Sequence, residues 1–223
     1  QFMPTAFLTY AVDGDNDGKV DIWQREVDAL TTAANYLHNI GWQSKERWGR
    51  EVKLPDNFAF EKVAFDQYYS LTHFQQLGVQ QTNNQALPAY DIQAELYLPS
   101  GYQGPAFLLY PNFNVIMKWN LSKSYALSVG ILANKLVGAK GVEFIAKAQN
   151  QAKPYSITEM KNLQSQLNTL GFDTGEPDGI WGPKSRKAIR SFQLQHQLIA
   201  DGYPNKALIL AVDSVINARK THT

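Results

Sequence analysis

The segment DGDNDG at residues 13–18 places acidic side chains at alternate positions and ends in a glycine. Ca²⁺ binds about six to eight oxygen atoms, and carboxylates spaced in this way can reach one ion, to which Lys19 would add its carbonyl oxygen. Gln24 stands where a bidentate glutamate is expected, so Glu26 or Asp28 would have to close the loop. The other interpretation is a surface turn without metal. The pattern favours a calcium-binding loop.

The composition excludes several classes of function. A net charge of +1 over 223 residues gives no electrostatic basis for binding nucleic acid or an anionic membrane. No apolar run approaches the roughly 18 residues that a membrane span needs, which predicts no transmembrane segment. Cysteine is absent, which excludes disulfides and thiolate metal sites. The chain starts at Gln1 without a recognisable signal peptide, which predicts a processed chain or a piece of a longer protein.

Residues 1–148 mix helical and strand patterns. Apolar residues recur at helical spacing in segments that end before a glycine. Short alternating or apolar segments, each followed by a proline, predict the strands of a small sheet. The predicted helices cover 27–40, 66–77 and 122–137, and the predicted strands cover 48–54, 94–98 and 106–110.

A second region follows a polar stretch at residues 149–155, which predicts a linker. Ser156 and Glu159 have the spacing of a capping box at the start of a helix that ends before Gly171. Two further helical patterns follow, and the first of them is predicted to turn Ala188, Ile189, Phe192 and Leu194 inward. The sequence therefore predicts a small domain at 156–219 with helices at 156–170, 184–197 and 206–216.

The spacing of several Gly, Trp and Gln residues in this domain resembles the three-helix peptidoglycan-binding domain at the ends of cell-wall hydrolases. The resemblance covers about residues 156–216 and rests on Leu163-Gln164, Leu170-Gly171-Phe172, Asp178-Gly179-Ile180-Trp181-Gly182-Pro183 and Phe192-Gln193. Most of these residues also have a structural interpretation: Asp178-Gly179 suits a turn, Pro183 a helix start and Trp181 a core position. The resemblance implies that peptidoglycan is a partner.

The preceding region resembles the lytic transglycosylase B family, bacterial murein hydrolases with a lysozyme-like core. The segments that carry this resemblance are Gln1-Phe2-Met3-Pro4-Thr5, the acidic loop with Ala33-Ala34-Asn35-Tyr36-Leu37, and Tyr110-Pro111-Asn112-Phe113-Asn114 leading into Trp119-Asn120 and Ser124-Tyr125-Ala126. The resemblance implies an α+β fold. Residues 1–148 would be part of a lysozyme-like catalytic domain with a small β-sheet and an EF-hand-like loop at 13–28.

The resemblance also assigns functional residues. The glycan would be contacted by Gln1, Tyr36, Trp119, Asn120 and Tyr125. Trp119 stands where the family commonly has Tyr, so it can stack on a sugar but offers no hydroxyl. The structural calcium ion would be held by Asp13, Asp15, Asp17, Asp28 and the carbonyl of Lys19. From the residues alone, Tyr36 and Tyr125 could equally be core residues, and Asn120 could begin the following helix.

The family's reaction uses one glutamic acid first as an acid and then as a base. It protonates the glycosidic oxygen between N-acetylmuramic acid and N-acetylglucosamine, and then assists attack by the muramyl 6-hydroxyl to give a 1,6-anhydro product. In the family this glutamate lies upstream of the segment that matches residues 1–5, and none of the eight glutamates here has that context. The resemblance therefore implies an enzyme whose acid/base Glu lies upstream of Gln1, and a chain that is inactive alone.

Two other functions stay open at this stage. The chain could be a non-catalytic peptidoglycan-binding protein, or a hydrolase with an internal carboxylate pair such as Glu51 with Asp56. The resemblance favours the transglycosylase. Its partners would be the glycan strands and stem peptides of peptidoglycan, with no nucleic acid, and it would act as a monomer in the periplasm of the bacterial cell envelope.

Overall fold

The chain forms two compact units in a computed structural model that describes residues 2–138 and 155–220. The first unit comprises Gln1–Arg50 and Leu109–Gly141, and the second comprises Glu51–Leu108 and Val142–Thr223. Most of the predicted linker at 149–155 lies outside the described residues, so the predicted domain boundaries there stay a prediction.

Eight helices and five strands are found among the described residues. The helices are α1 (Pro4–Tyr10), α2 (Glu26–Asn39), α3 (Leu71–Gln76), α4 (Pro111–Trp119), α5 (Lys123–Leu136), α6 (Ile157–Thr169), α7 (Pro183–Gln195) and α8 (Lys206–Lys220). The strands are β1 (Gly49–Lys53), β2 (Tyr69–Ser70), β3 (Gln80–Gln81), β4 (Gln93–Tyr97) and β5 (Ala106–Leu109). None of the described helices is both long and apolar enough to cross a membrane.

Helix α2 of the first unit turns its polar side inward. Asp28 and Thr32 are fully buried, whereas Val27 is 49% and Leu30 is 72% exposed. Thr32 Oγ1 accepts a hydrogen bond from the amide of Val12, so the buried side of α2 holds the loop that precedes it. The apolar pattern correctly predicted a helix, but it did not identify the buried side.

Trp48 is buried in the core of the first unit. Its ring is 5% exposed, lies 6.2 Å from the ring of Phe113, and donates a hydrogen bond from Nε1 to Asn134 Oδ1 at 3.3 Å. Gly130 on α5 lets this ring approach the helix, because a Cβ at that position would lie 2.5 Å from ring carbons of Trp48. Packing of this kind makes a glycine necessary inside a helix, where it otherwise costs stability.

The small sheet has the strand order β2-β4-β5-β1-β3. β1 pairs antiparallel with β3, with Val52 opposite Gln81, and β2 pairs antiparallel with β4. The predicted helix at 66–77 is too long, because α3 begins only at Leu71. Ser70 accepts a hydrogen bond from the amide of His73 and caps the helix, and Asp66 has a φ of 55°, which ends any helical path before it.

The three C-terminal helices confirm the predicted pattern. Ser156 and Glu159 form the capping box. A shared core contains Met160, Leu163, Leu167, Leu170, Ile189, Phe192, Leu208 and Val212. The prediction was wrong for Leu194, which is 40% exposed, whereas Gln193 next to it is buried. Gln193 is buried because its side chain donates to Asp201 and accepts from the amide of Gly202, so its polar atoms are satisfied.

Candidate functional site: acidic loop and aromatic cluster

The loop between α1 and α2 brings three predicted metal ligands together. One oxygen from each of Asp13, Asp15 and Asp28 lies within 4.8 Å of the others. Ca²⁺–oxygen distances are about 2.3–2.6 Å, so oxygens on opposite sides of one ion lie about 5 Å apart. The spacing of these carboxylates therefore fits a single Ca²⁺.

Asp28 closes the loop from the first turn of α2. Its Oδ1 accepts a hydrogen bond from the amide of Gly14 at 2.7 Å, and its Oδ2 accepts one from the amide of Asp21 at 2.8 Å. These two hydrogen bonds hold the pKa of Asp28 below its ordinary value, because they stabilise the ionised form. A carboxylate has about four lone-pair positions, so Asp28 can clamp the loop and still bind a cation.

Asp17 does not join the three carboxylates. Asp17 Oδ2 accepts a hydrogen bond from Arg25 Nη2 at 3.1 Å, and its Oδ1 accepts one from the amide of Lys19 at 2.9 Å. Arg25 Nε also lies 4.0 Å from Asp15 Oδ2. Arg25, which sequence reasoning missed, thus places a positive charge beside two predicted ligands.

Gln24, at the standard closing position, belongs to a turn. Its amide and that of Trp23 both donate to Asp21 Oδ1 at 3.0 Å. This side-chain turn leads the chain into α2 and so presents Asp28 to the loop. Asp28, rather than Gln24, therefore lies beside Asp13 and Asp15.

An aromatic cluster contains two of the predicted glycan-contact residues. The rings of Tyr36 and Trp119 lie 5.2 Å apart at 90°, and the ring of Phe2 lies 5.9 Å from Tyr36 and 5.2 Å from Trp119. Tyr10 contacts the other side of this cluster, 5.1 Å from Tyr36. All four side chains are partly exposed. Partly exposed rings with an apolar face and a polar edge suit contact with sugars.

The other predicted glycan-contact residues have different surroundings. Asn120 is exposed, and its Oδ1 accepts a hydrogen bond from the amide of Ser122, which in turn caps α5. Asn120 is the C-cap of α4, and the N-cap position of α5 is taken by Ser122. Tyr125 lies in the first turn of α5 and is 40% exposed, so it is not a core residue. Gln1 lies outside the described residues.

Phe2 also lines an open groove beside α1. The groove has a volume of about 610 Å³, and its walls are mostly apolar: Phe2, Pro4, Phe7, Leu8, Ile22, Trp23 and Ala29. Trp23 is 76% exposed and lies 5.3 Å from the ring of Phe7. Helix α1 contributes side chains to both places. Tyr10 belongs to the aromatic cluster, and Phe7 contacts Trp23, which follows the acidic loop.

The three-helix region has an open groove of its own between α6 and α8. Its volume is about 430 Å³, and it is lined by Tyr155, Glu159, Asn162, Leu163, Gln166, Lys206, Ile209, Leu210 and Asp213. Gln166 Nε2 donates to Asp213 Oδ1 at 2.7 Å across the groove. Both charge signs and apolar walls occur together here, which suits a peptide that carries carboxylates and an amine.

The described glutamates of the first unit do not have the surroundings of a general acid. Glu26 and Glu46 are both exposed, whereas a glutamic acid that must stay protonated needs an apolar pocket. In the second unit, Glu95 is buried in β4 and Glu159 is engaged in the capping box. Glu143 lies outside the described residues.

Comparisons with known proteins find a matching domain family for each of the two parts of the chain. Residues 1–134 match the transglycosylase SLT domain, and residues 156–211 match a peptidoglycan-binding domain. Membrane-bound lytic murein transglycosylase B of Escherichia coli strain K12 is 30% identical over 145 residues, which cover 63% of this chain and 37% of that protein.

Two solved structures of SltB3 from Pseudomonas aeruginosa are similar over nearly the whole chain. The complex with NAG-anhNAM-pentapeptide is 42% identical with a TM-score of 0.85, and covers 96% of this chain and 57% of that one. The complex with NAG-NAM-pentapeptide is 42% identical with a TM-score of 0.84, and covers 95% and 57%. The chain thus spans little more than half of SltB3. It belongs to the family of transglycosylase SLT-domain proteins and carries a C-terminal peptidoglycan-binding domain.

Proposed function

We propose that this chain is part of a peptidoglycan lytic transglycosylase that cleaves the bond between N-acetylmuramic acid and N-acetylglucosamine and leaves a 1,6-anhydro end. The observation that carries the proposal is the cluster of Tyr36, Trp119 and Phe2 in a chain that matches the SLT domain over residues 1–134. The similar SltB3 structure is in complex with an anhydro-muropeptide. That ligand has the chemistry of the proposed product.

The residues of this chain would hold and orient the glycan. Tyr36 and Trp119 present rings that can pack on pyranose faces, and the exposed Asn120 and Tyr125 offer an amide and a hydroxyl for the polar groups of a sugar. Gln1 would add another amide. The acid/base glutamate would lie upstream of Gln1, in agreement with the exposed positions of Glu26 and Glu46.

The acidic loop would bind a structural Ca²⁺. Asp13, Asp15 and Asp28 supply oxygens at the right separation, and Asp17 and the carbonyl of Lys19 would complete the set after Asp17 leaves Arg25. The ion would neutralise the charge of the loop and fix the start of α2, which carries Tyr36. We expect EDTA to lower the melting temperature and Asp15→Ala to remove the effect of Ca²⁺. An identical melting curve with and without EDTA would contradict the calcium proposal.

The three-helix domain would bind peptidoglycan, with the groove between α6 and α8 as the contact for a stem peptide. Lys206 can pair with a peptide carboxylate, and Asp213 can attract an amine. A peptidoglycan partner would place the protein in the bacterial cell envelope, in the periplasm, and the proposed mode of action needs only a monomer.

The test is a digest of purified peptidoglycan, read by mass spectrometry for 1,6-anhydro-muropeptides. We expect product from a protein extended upstream of Gln1 by its own coding sequence, and none from residues 1–223, which should still co-sediment with peptidoglycan. In the extended protein, Trp119→Ala should lower the rate by about tenfold or more, whereas Tyr90→Ala, which removes an exposed ring elsewhere, should not.

Either of two results would contradict the proposal. Anhydro product from residues 1–223 alone would show that a carboxylate inside the chain is the acid. Absence of product from the extended protein, with co-sedimentation retained, would favour a non-catalytic peptidoglycan-binding protein.

A further inference from the structure

In the second unit, helix α7 contacts the region that follows β1. Arg190 Nη2 donates to three backbone carbonyls, those of Phe60 at 2.9 Å, Val63 at 3.0 Å and Glu61 at 3.3 Å. These carbonyls surround a short 3₁₀ turn at Phe60–Lys62. A single guanidinium nitrogen, whose two hydrogens are shared among three carbonyls of one turn, ties that turn to α7.

Arg186, one helical turn earlier on α7, lies among aromatic rings. Its guanidinium carbon is 4.6 Å from the ring centroid of Phe65, 5.2 Å from that of Trp181 and 5.9 Å from that of Tyr97. Arg186 is only 8% exposed, and its Nε and Nη2 have no hydrogen-bond partner among the described residues. A buried cation without hydrogen bonds at these atoms needs other compensation, and the ring faces supply it.

A third contact joins the loop before α8 to the loop after β4. Asp201 Oδ2 accepts a hydrogen bond from the amide of Tyr102 at 3.0 Å, and Asp201 is 1% exposed. Gly101 must be a glycine here, since it has a φ of 74° and a Cβ would lie 2.8 Å from the ring of Tyr203. The two loops are therefore in direct van der Waals contact.

We propose that the three-helix domain is docked on the small-sheet region as one fixed body, and that Arg186 and Arg190 of α7 form the docking surface. The partner of this surface is the segment at residues 60–65 of the same chain, with Tyr97 and Tyr102. The contacts carry this proposal without reference to peptidoglycan.

One consequence rests on the proposed function. Trp181, part of the peptidoglycan-binding-domain motif, lies against Arg186 and Tyr203 and donates from Nε1 to the carbonyl of Gly202 at 3.1 Å. Its ring thus packs against Arg186 from within the three-helix domain, and we expect it not to serve as a platform for a sugar. The ligand contact is left to the groove between α6 and α8, on helices that do not carry the arginine pair.

Amide hydrogen exchange in the full chain tests the docking, with the amide of Tyr102 as the reporter because its acceptor is Asp201. We expect Arg190→Gln and Arg186→Gln to speed exchange at Tyr102 by about tenfold or more, although neither arginine bonds to it. Core amides of α6, such as that of Leu167, should keep their protection. The control is Arg219→Gln, which removes a hydrogen bond to Thr169 inside the three-helix domain and should leave Tyr102 unchanged.

Phe65→Ala removes a ring from the sheet side of the same surface and leaves the sequence of the three helices unchanged. It should give the same opening at Tyr102, and its effect should be non-additive with that of Arg186→Gln. Unchanged exchange at Tyr102 in the arginine variants, additive effects, or an equal response to Arg219→Gln would overturn the proposal. Co-sedimentation with peptidoglycan is a separate measurement of ligand binding. Trp181→Phe should leave co-sedimentation unchanged, and Lys206→Glu should weaken it. A failure of the binding proposal can therefore be distinguished from a failure of the docking proposal.

Discussion

Helices α2 and α6 have similar apolar patterns but bury opposite kinds of residue. On α6, the pattern residues Leu163 and Leu167 are 3% and 0% exposed, because α7 and α8 of the same chain cover them. On α2, the pattern residues Val27 and Leu30 are exposed, and the buried positions are Asp28 and Thr32, which hold the acidic loop. Periodicity therefore identifies a helix, whereas the neighbours that the chain supplies decide which side is buried.

The two helices compensate in different ways for the water that their buried side chains lose. Apolar burial on α6 is favourable in itself, at about 25 cal/mol per Å². Burial of the Asp28 carboxylate would be unfavourable without hydrogen bonds, and two backbone amides supply them in place of water. The same two hydrogen bonds fix the path of the loop. Helix α2 thus stabilises the acidic loop, whereas α6 stabilises a core.

The strongest test compares leucines on the two helices. Leu167→Ala on α6 should lower the free energy of unfolding of the three-helix region by about 2–5 kcal/mol, because it leaves a cavity in a packed core. Leu30→Ala on α2 is the matched change at a 72% exposed position and should stay within about 0.5 kcal/mol. Urea unfolding of residues 1–223 followed by circular dichroism would measure both. Equal losses would show that the two apolar stripes have the same role.

A second, smaller effect tests how Trp48 packs on α5 in the first unit. Gly130→Ala places a methyl group 2.5 Å from the ring carbons of Trp48, and the resulting overpacking should cost about 1–3 kcal/mol. In an open helical position the same change would add up to about 1 kcal/mol of stability. Ser128→Ala, at an exposed position of the same helix, controls for helix propensity. A stabilised Gly130→Ala variant would mean that Trp48 does not pack on α5.

Most of the fold could be predicted because local signals and tertiary structure agree. The capping box at Ser156 and the terminating Gly171 correctly bounded α6. Helices α1 and α4 were missed, although each has a proline in its first turn, because they are short, at 7 and 9 residues. The segment at 66–70 was assigned to a helix because a turn and a strand of two residues leave almost no periodic signal.

The candidate site could be predicted in part, for a similar reason. Asp13 and Asp15 lie in the loop and Asp28 lies in the first turn of the helix that follows, so the local chain brings their carboxylates together. The contact of Phe2 with Trp119 joins residues far apart in sequence, and no local pattern encodes it. The charge that Arg25 brings to the loop also depends on its side-chain direction, which spacing does not specify.

The pH dependence of stability should have opposite signs at the two buried aspartates. The pKa of Asp28 is lowered by hydrogen bonds from Asp21 and Gly14, so its contribution is present above its ordinary pKa of 3.8 and is lost as the pH falls below that value. Burial raises the pKa of Asp201, so the folded state favours the protonated form and stability increases as the pH falls toward 3.8.

Thermal melts in EDTA, from about pH 3 to about pH 7, would separate the two contributions. Asp28→Asn should flatten the loss of stability at the acidic end, and Asp201→Asn should remove the gain on acidification. The first change should affect the first unit and the second change the three-helix region. A steeper acidic loss in Asp28→Asn would contradict the assigned direction of its pKa.

The smallest effect concerns Arg25, which neutralises the acidic loop from a largely exposed position. Arg25→Gln should change the stability of the calcium-free chain by less than about 1 kcal/mol, because exposed ion pairs contribute little. It should also raise the affinity for Ca²⁺ by a few fold, since Asp17 no longer has to leave a cation and the loop becomes more negative. Calorimetric titration with Ca²⁺ measures this, with Lys118→Gln as the control, whose ammonium bonds to the carbonyl of Ile40 elsewhere in the first unit. A lower affinity in Arg25→Gln would mean that Arg25 organises the loop for the ion, and the polar side of α2 would then hold a preformed metal site.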